Sequence, residues 1–430
     1  MEIIRANNFE LKLDGLDDSQ YKAVVSDNEN ILLRAPAGSG KTTSLINAIA
    51  NYRYNYLNDK ICAITYTRAA RAEMEERLQE MGIFDINVTT IHVWARTLLN
   101  DFAIKYGFKV EILQEGKIKE ILRELVAEYI IYSKIKNINI DILYSFIMGN
   151  KNMDIKDTFK RTLVALEGRY IKYKRDNLLY DFTDYPLYLY NVLNTFDEEI
   201  NNIDALFVDE YQDVDEVQFE LFTKVNARKK FFVGDSWQSI FAFRGADGEV
   251  FQKTTGFEEF KLAYNYRSYQ EIIDYATTVY LTHRETALDE EKCYISEVMW
   301  KRPSSIKCVR GYGGSIIIVN PFGRSIRLQG EDDERRINLL EEFKDFMSDR
   351  PMILCRTNKQ VKYISDLGYF DVSTIHQAKG LEYDNVLVID TTIGCIEDLN
   401  IAYVALTRAK NKLFVINWQQ FELLFNIYMR

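Results

Sequence analysis

Proline is scarce in this chain: 430 residues hold five, Pro36, Pro186, Pro303, Pro321 and Pro351. Histidine is scarcer, with three. The five cysteines (Cys62, Cys293, Cys308, Cys355 and Cys395) are scattered and form no C-x-x-C pair. That spacing argues against a zinc or iron–sulfur site. A disulfide framework does not suit so long a chain, so a reducing cytoplasm is the expected setting. Long apolar runs are absent. Ile316-Ile317-Ile318-Val319 is far short of the ~20 residues that cross a bilayer, so no membrane partner is expected. Met1-Glu2-Ile3-Ile4-Arg5 lacks the basic-then-apolar order of a secretory leader. No Gly/Ser linker and no short repeat breaks the chain. Cations are in deficit, with Lys+Arg 54 against Asp+Glu 64, a net charge of −10. A globally basic nucleic-acid coat is excluded, although a local basic groove is not.

What is present reads as a folded α/β protein. Hydrophobic residues make up 47% and charged residues 27%, and the length suits about three domains. Residues 30–100 read as strand, glycine turn, helix, strand (61–64), helix (69–81), strand and helix. Residues 350–430 read as strand (352–354), helix, a short β segment (372–375) and strand (386–389). A helix over 401–409 and a strand at 413–416 follow. Strands alternating with helical patterns predict parallel sheets, hence two α/β lobes. Between them, residues 105–178 read as helical, with Ile118, Ile121, Leu122, Leu125 and Tyr129 as an apolar stripe. Over 151–178 eight basic residues (Lys151, Lys156, Lys160, Arg161, Arg169, Lys172, Lys174, Arg175) face four acids (Asp154, Asp157, Glu167, Asp176). That local excess reads either as a solvated face or as a phosphate-binding one, with Tyr170 and Tyr173 beside Lys172, Lys174 and Arg175.

Ile31-Leu32-Leu33 reads as a buried strand. Ala35-Pro36-Ala37-Gly38-Ser39-Gly40-Lys41-Thr42 follows it, then a helix with Leu45, Ile46 and Ile49 on its apolar side. This is the strand–loop–helix setting of a P-loop, with Ala35 where the first glycine usually stands. The backbone N–H groups would close on phosphate, Lys41 would neutralise the β- and γ-phosphates, and Thr42 would ligate Mg²⁺. Such a loop needs an acid on a neighbouring strand. Ala205-Leu206-Phe207-Val208 ends in Asp209-Glu210. Asp209 would hold the magnesium, and Glu210 would polarise an attacking water, which favours hydrolysis.

The string Val208-Asp209-Glu210-Tyr211-Gln212-Asp213 resembles motif II of superfamily 1 helicases of the UvrD/Rep/PcrA type. Other motifs of that family follow in its order. Leu16-Asp17-Asp18-Ser19-Gln20 resembles the Q motif, Thr65-Tyr66-Thr67-Arg68-Ala69-Ala70 motif Ia and Thr90-Ile91-His92 motif Ib. Gly234 to Gly245 resembles motif III and Asn265-Tyr266-Arg267-Ser268 motif IV. Thr374 to Glu382 resembles motif V, and Tyr403 to Ala409 motif VI. The resemblance covers residues 16 to about 415. It implies two RecA-like lobes, 1–104 with 179–260 and then 261–430, and a helical accessory subdomain at 105–178.

The resemblance also implies roles. Gln20 would read the adenine, Tyr266 would stack on it, and Thr43 stands where many relatives carry an arginine. Gln238 would sense the γ-phosphate. Arg267 and Arg408 would be arginine fingers from the second lobe, and Glu382, near Gly380, would hold the ribose. Strand contacts are expected of Thr65, Tyr66, Arg68, His92, Phe241, Phe243, Arg244, Thr374, His376 and Lys379, with Phe243 replacing the family's usual tryptophan. A structural role for His92 is the competing reading. Only residues 359–371 separate the 353–358 segment from motif V, too few for the mobile insertion of relatives. About 20 residues follow motif VI, which leaves no room for a nuclease domain.

The implied activity is an ATP- and Mg²⁺-dependent motor on single-stranded DNA and DNA junctions, 3′→5′ in polarity, bacterial or phage-encoded. Three alternatives stay open. One is a translocase without useful unwinding, one a DNA-dependent ATPase subunit of a larger repair, recombination or antiviral assembly, and one a motor on RNA; a protein partner in a repair, replication or defence complex is the corresponding expectation.

Overall fold

The computed structural model describes residues 11 and 13–428, except 134–136, 149–156, 242–245, 247–248, 287–292, 295–304, 320–324, 330–332, 337, 369 and 390–391. The chain divides into two units. One comprises Met1–Val88, Asn201–Glu216 and Asn226–Arg430; the other comprises Thr89–Ile200 and Val217–Val225.

The larger unit is built on two sheets. The first contains β1 (Asn30–Arg34), β2 (Ile61–Thr65), β3 (Asn87–Thr90), β4 (Ala205–Val208), β5 (Lys229–Gly234) and β6 (Glu258–Lys261), in the order β3-β2-β4-β5-β1-β6. Strands β2, β4, β5, β1 and β6 pair in parallel. Parallel strands covered on both faces must be apolar throughout, and β2 and β4 are buried at every residue. Helices α1 (Asp18–Val24), α2 (Lys41–Asn55) and α3 (Arg68–Glu80) supply Ala23, Leu45, Ile46, Ile49, Met74 and Leu78 to this core. Because the strands run one way, the loops after β1, β4 and β5 meet at a single edge. β5 stands between β1 and β4, so the strand bearing Asp209 is one removed from the phosphate-loop strand rather than its neighbour.

Two short strands, β7 (Tyr264–Asn265) and β8 (Cys293–Tyr294), precede the second sheet and pair with β9 (Lys307–Cys308) and β16 (Thr392–Ile393). The second sheet contains β10 (Ser315–Val319), β11 (Ser325–Gln329), β12 (Asp333–Arg336), β13 (Met352–Cys355), β14 (Val372–Thr374), β15 (Tyr383–Ile389) and β17 (Ala409–Ile416). Its order is β12-β11-β10-β17-β15-β13-β14. Side chains alternate between its faces with the period of two that a strand dictates. Ile316, Ile318, Leu413 and Val415 join one core. Ile317, Val319, Phe414 and Ile416 join the other.

The helices Gln270–Thr286 and Ile396–Leu406 cover the first of these cores, and Leu339–Ser348, Asn358–Leu367 and Trp418–Tyr428 cover the second. The antiparallel β11 and β12 were not expected from the sequence. The predicted helix over 401–409 is shifted: it spans Ile396–Leu406, because Ala409 already pairs with Tyr383 and begins β17. One helix, Asn358–Leu367, fills most of the stretch between β13 and β14.

The smaller unit contains α4 (Ile91–Tyr106), α5 (Glu115–Tyr132), α6 (Ile140–Ile147), α7 (Asp157–Asp176) and α8 (Tyr185–Phe196). The stripe Ile118, Ile121, Leu122 and Leu125 closes on Leu143, Phe146, Leu163, Leu166 and Tyr170. This unit is wider than the 105–178 read from periodicity, because α4 packs along α8.

Candidate nucleotide site and strand-facing residues

Within the larger unit a cavity of about 640 Å³ opens beside the loop after β1. Its walls bring together Gln20, Gly38, Ser39, Gly40, Lys41, Thr42, Thr43, Glu210, Gln238, Tyr266, Arg267, Gly380, Glu382 and Arg408. Four expected residues do not line it. Ala35 and Ala37 are buried behind the loop, Pro36 faces a separate small cavity, and Asp209 sits beneath Thr42.

Gly38 and Gly40 have φ of +70° and +81°, a left-handed region that favours glycine. A Cβ on Gly38 would lie 2.6 Å from Asn265 Nδ2 and 2.8 Å from Arg267 Cβ. The glycine therefore lets the two sheets' loops touch: Asn265 Nδ2 donates to Ala37 O at 2.6 Å, and Tyr266 N donates to Gly38 O at 2.8 Å.

On the β1 side, Lys41 Nζ lies 3.2 Å from Glu210 Oε2, and Thr42 Oγ1 lies 3.4 Å from Asp209 Oδ2. Burial and the neighbouring Glu210 push Asp209 up to about 7. Burial would raise Glu210 too, but the charges of Lys41 and Lys379 hold it down to about 2. Glu210 thus stays ionised at neutral pH, while Asp209 holds a proton below about pH 7. Among the described residues no group of three or more His, Cys, Asp or Glu could cage a metal. A Thr hydroxyl beside one Asp instead fits Mg²⁺, which keeps waters and shares phosphate oxygens. Glu210 has φ +48°, a strained conformation for a residue with a side chain. Its carboxylate also accepts from Gln212 Nε2.

Arg267 and Arg408 bring guanidinium groups from the second sheet's side. Arg267 Nε donates to Glu382 Oε2 at 2.7 Å, and Lys410 Nζ lies 2.8 Å from Glu382 Oε1. Burial opposes the ionisation of Glu382, yet these two cations hold it below the usual carboxylate range. Arg408 is 1% exposed and, among the described residues, donates only to neutral oxygens: Val404 O, Leu381 O and Gln238 Oε1, with Thr407 Oγ1 at 3.4 Å. Burial and the like charge of Arg267 push it down to about 9. A buried guanidinium paired with carbonyl groups is poised for an anion.

Gln20 Nε2 donates to Ser39 O at 3.1 Å, and a capping box with Asp17 fixes that side chain. Tyr266 donates its hydroxyl to Asp17 Oδ2 at 2.6 Å, which holds the ring at the cavity wall. Gly15, Glu73 and Arg77 also line the cavity and were missed in the sequence. Arg77 Nη2 donates to Thr43 Oγ1 at 2.9 Å, so a guanidinium does stand beside position 43. Their i,i+4 spacing on α3 was visible, but nothing local aims that helix face at the loop.

Lys379 requires a correction. Expected on the strand, its side chain is instead largely covered, 8% exposed, with Nζ 2.6 and 2.8 Å from the two oxygens of Asp213 and 2.8 Å from Gln238 O. An ammonium already bonded to a buried carboxylate has little left for a phosphate. Phe241 lies over this lysine at 4.6 Å and stacks parallel to Tyr66 at 5.9 Å, with His376 tilted at 6.4 Å. Of the expected strand-facing residues, Tyr66, Phe241 and His376 lie together, and Arg68 is exposed near Tyr66 in sequence. Thr65 and Thr374 are buried, and their hydroxyls bond to local backbone, so they shape the turns rather than face a ligand. Phe243 and Arg244 lie outside the described residues.

In the smaller unit, His92 stacks on Phe182 at 5.8 Å, and burial lowers its basicity. Part of the basic stretch on α7 is already paired within the fold. Lys174 is 6% exposed and bridges Asp181 at 2.8 Å and Asp184 at 2.5 Å, while Tyr170 is fully buried and donates to Asp181. Lys172 and Arg175 remain exposed. Lys151, Asp154 and Lys156 lie outside the described residues.

A model of the UvrD/REP helicase N-terminal domain matches residues 16–257, and one of the UvrD-like helicase C-terminal domain matches 369–416. A probable DNA helicase of Mycoplasma pneumoniae is 26% identical over 94% of this chain and 84% of its own. The Gabija protein GajB of Bacillus cereus is 24% identical over 91% of this chain and 94% of its own. The ATP-dependent DNA helicase PcrA of Leuconostoc citreum is 26% identical over 82% of this chain but only 48% of its own. The chain thus spans about half the length of that relative.

Proposed function

Since the chain belongs to the UvrD/Rep helicase family, we propose that it is an ATP-driven motor on single-stranded DNA that moves 3′→5′ and separates strands. The observation that carries this reading is the cavity whose one wall is the phosphate loop and whose other wall is Arg267 and Arg408. The loop holds the triphosphate, and Thr42 and Asp209 hold Mg²⁺, which screens the phosphate charge. Glu210, kept ionised by Lys41, accepts a proton from the attacking water. Arg408 and Arg267 meet the negative charge that grows on the γ-phosphate. Binding draws the two sheets' loops together, and product release lets them part. Tyr66, Phe241 and His376 form the base-stacking track, which suits a strand of any sequence.

Glu210→Gln is expected to bind ATP yet stop hydrolysis, and Lys41→Ala to weaken both. The test is ATP turnover with and without single-stranded DNA, beside unwinding of 3′- and 5′-tailed duplexes. Near-wild-type turnover by Glu210→Gln would remove the assigned base. Turnover without displacement of either duplex would favour a second reading, a DNA-dependent ATPase subunit of a larger assembly.

A further inference from the structure

The smaller unit holds a second cavity, of about 670 Å³, that the motor reading does not use. We propose that it is a binding site for single-stranded nucleic acid, with bases stacked on its tyrosines and phosphates on Arg96 and Lys109. The inference rests on the motor reading for its ligand and on the smaller unit's own geometry for its site.

Three observations carry it. First, the wall is a set of prearranged rings. Tyr180 and Tyr188 stack at 4.1 Å with planes 10° apart. Tyr180 accepts from Asn191 Nδ2 at 2.9 Å, and Tyr188 is held by the backbone of Glu111. Tyr185 lines the same cavity and meets Phe182 edge-on at 5.7 Å, and Phe182 stacks on His92. Rings locked before binding lose little freedom on meeting a base, and any base offers a face.

Second, the cations are unspent. His92, Arg96 and Asn100 recur every four residues on α4, a stripe about 12 Å long. Arg96 and Asn100 line the cavity with Lys109. Neither Arg96 nor Lys109 has an ion-pair partner among the described residues, in contrast to Lys174 of the same unit. Among the described residues Glu111 is the one acid on the wall, and the balance favours an anionic ligand even though the chain is acidic.

Third, Leu178 stands at the rim at φ +53°, with its side chain 80% exposed. It follows the end of α7, where the left-handed conformation is usually given to glycine or asparagine. A leucine kept there, with its side chain in water, is explained if it packs against a base.

The full-length protein would be photo-cross-linked to a single-stranded oligonucleotide carrying 5-iodouracil, and the adducts mapped by mass spectrometry. Adducts are expected on Tyr185 or Tyr188. Tyr185→Ala should weaken single-strand binding about ten-fold. Arg96→Gln with Lys109→Gln should flatten the log–log salt dependence by about 1.4, two phosphate contacts at about 0.7 each. Leu178→Gly should bind less tightly while its thermal midpoint holds or rises, because glycine suits that φ. A loss of binding in that variant therefore cannot be put down to misfolding. Adducts confined to Tyr66 or Phe241, with all variants binding like wild type, would overturn this inference and leave the motor reading standing. Variants impaired on duplex but not on single strands would overturn it as well. A wild type that binds no single strand would overturn both.

Discussion

Replacing Lys379 by alanine separates a structural tie from a strand contact. The lysine side chain is 8% exposed and that of Asp213 is 2% exposed, so both charges are shielded from water. Deleting one partner of a buried, hydrogen-bonded pair typically costs about 3–5 kcal/mol, because the other charge is left uncompensated. Even with Lys379 present, burial lifts Asp213 to about 6. From its ordinary value of 3.8 that rise represents roughly 3 kcal/mol of stability, held at acid pH and lost as pH climbs through 6. Without the lysine, the carboxyl rises further. Below about pH 5 Asp213 is neutral in both proteins, and what the variant misses is the lysine's packing, its bond to Gln238 O and its charge near Glu210, a loss that is the same at pH 5 and pH 8. Above 6 the wild type carries a compensated pair, whereas the variant must keep a proton or bury a bare charge. The destabilisation should therefore widen between pH 6 and 8. Urea unfolding of the two proteins at pH 5 and pH 8 measures it. A strand-contact role would give the opposite pattern: an unchanged urea midpoint at both pH values, and a salt dependence of DNA binding flattened by about 0.7.

Gly38→Ala should slow hydrolysis at least ten-fold and lower the thermal midpoint, because its Cβ would collide with Asn265 and Arg267; turnover like that of wild type would show that the contact yields. With Asp209 at about 7 in the metal-free protein, Mg²⁺ must displace a proton below that pH. The Mg²⁺ concentration for half-maximal turnover should be about ten-fold higher at pH 6 than at pH 8, and equal values would remove Asp209 from the metal's shell. Lys174→Met should destabilise the helical unit by leaving Asp181 and Asp184 without their cation, whereas Lys172→Gln should leave the thermal midpoint unchanged; circular dichroism melts distinguish the two.

The phosphate loop, Asp209 and Glu210 were legible because their positions follow from local order: a buried strand, a glycine turn and a helix place Lys41 and Thr42 wherever the fold occurs. The second sheet was legible in part. The apolar runs at 352–355 and 386–389 announce strands, but β11 and β12 carry Arg327, Arg335 and Arg336 and show no apolar run. The start of β17 was obscured because residues 401–409 continue an apolar pattern past the point where Ala409 pairs with Tyr383. Arg77 was not legible, since only the packing of α3 brings it to Thr43.

The cations show most clearly where reading a sequence stops. Lys174, Lys379, Arg96 and Arg408 are alike as letters, and motif or local charge is all that ranks them. Burial sorts them differently. Lys174 and Lys379 each meet a carboxylate within 3 Å, so their charge is already neutralised by the fold. Arg408 is as buried as either, yet among the described residues bonds only to neutral oxygens, so its charge awaits a ligand. Arg96 reaches a cavity and has no acid partner among the described residues. The distinction turns on residues remote in sequence, Asp213 lying 166 positions from Lys379. A cation's availability to an anionic ligand is therefore a property of the fold. Local charge balance, such as the excess over 151–178, overstates a phosphate-binding surface wherever an acid from another element has already claimed a lysine.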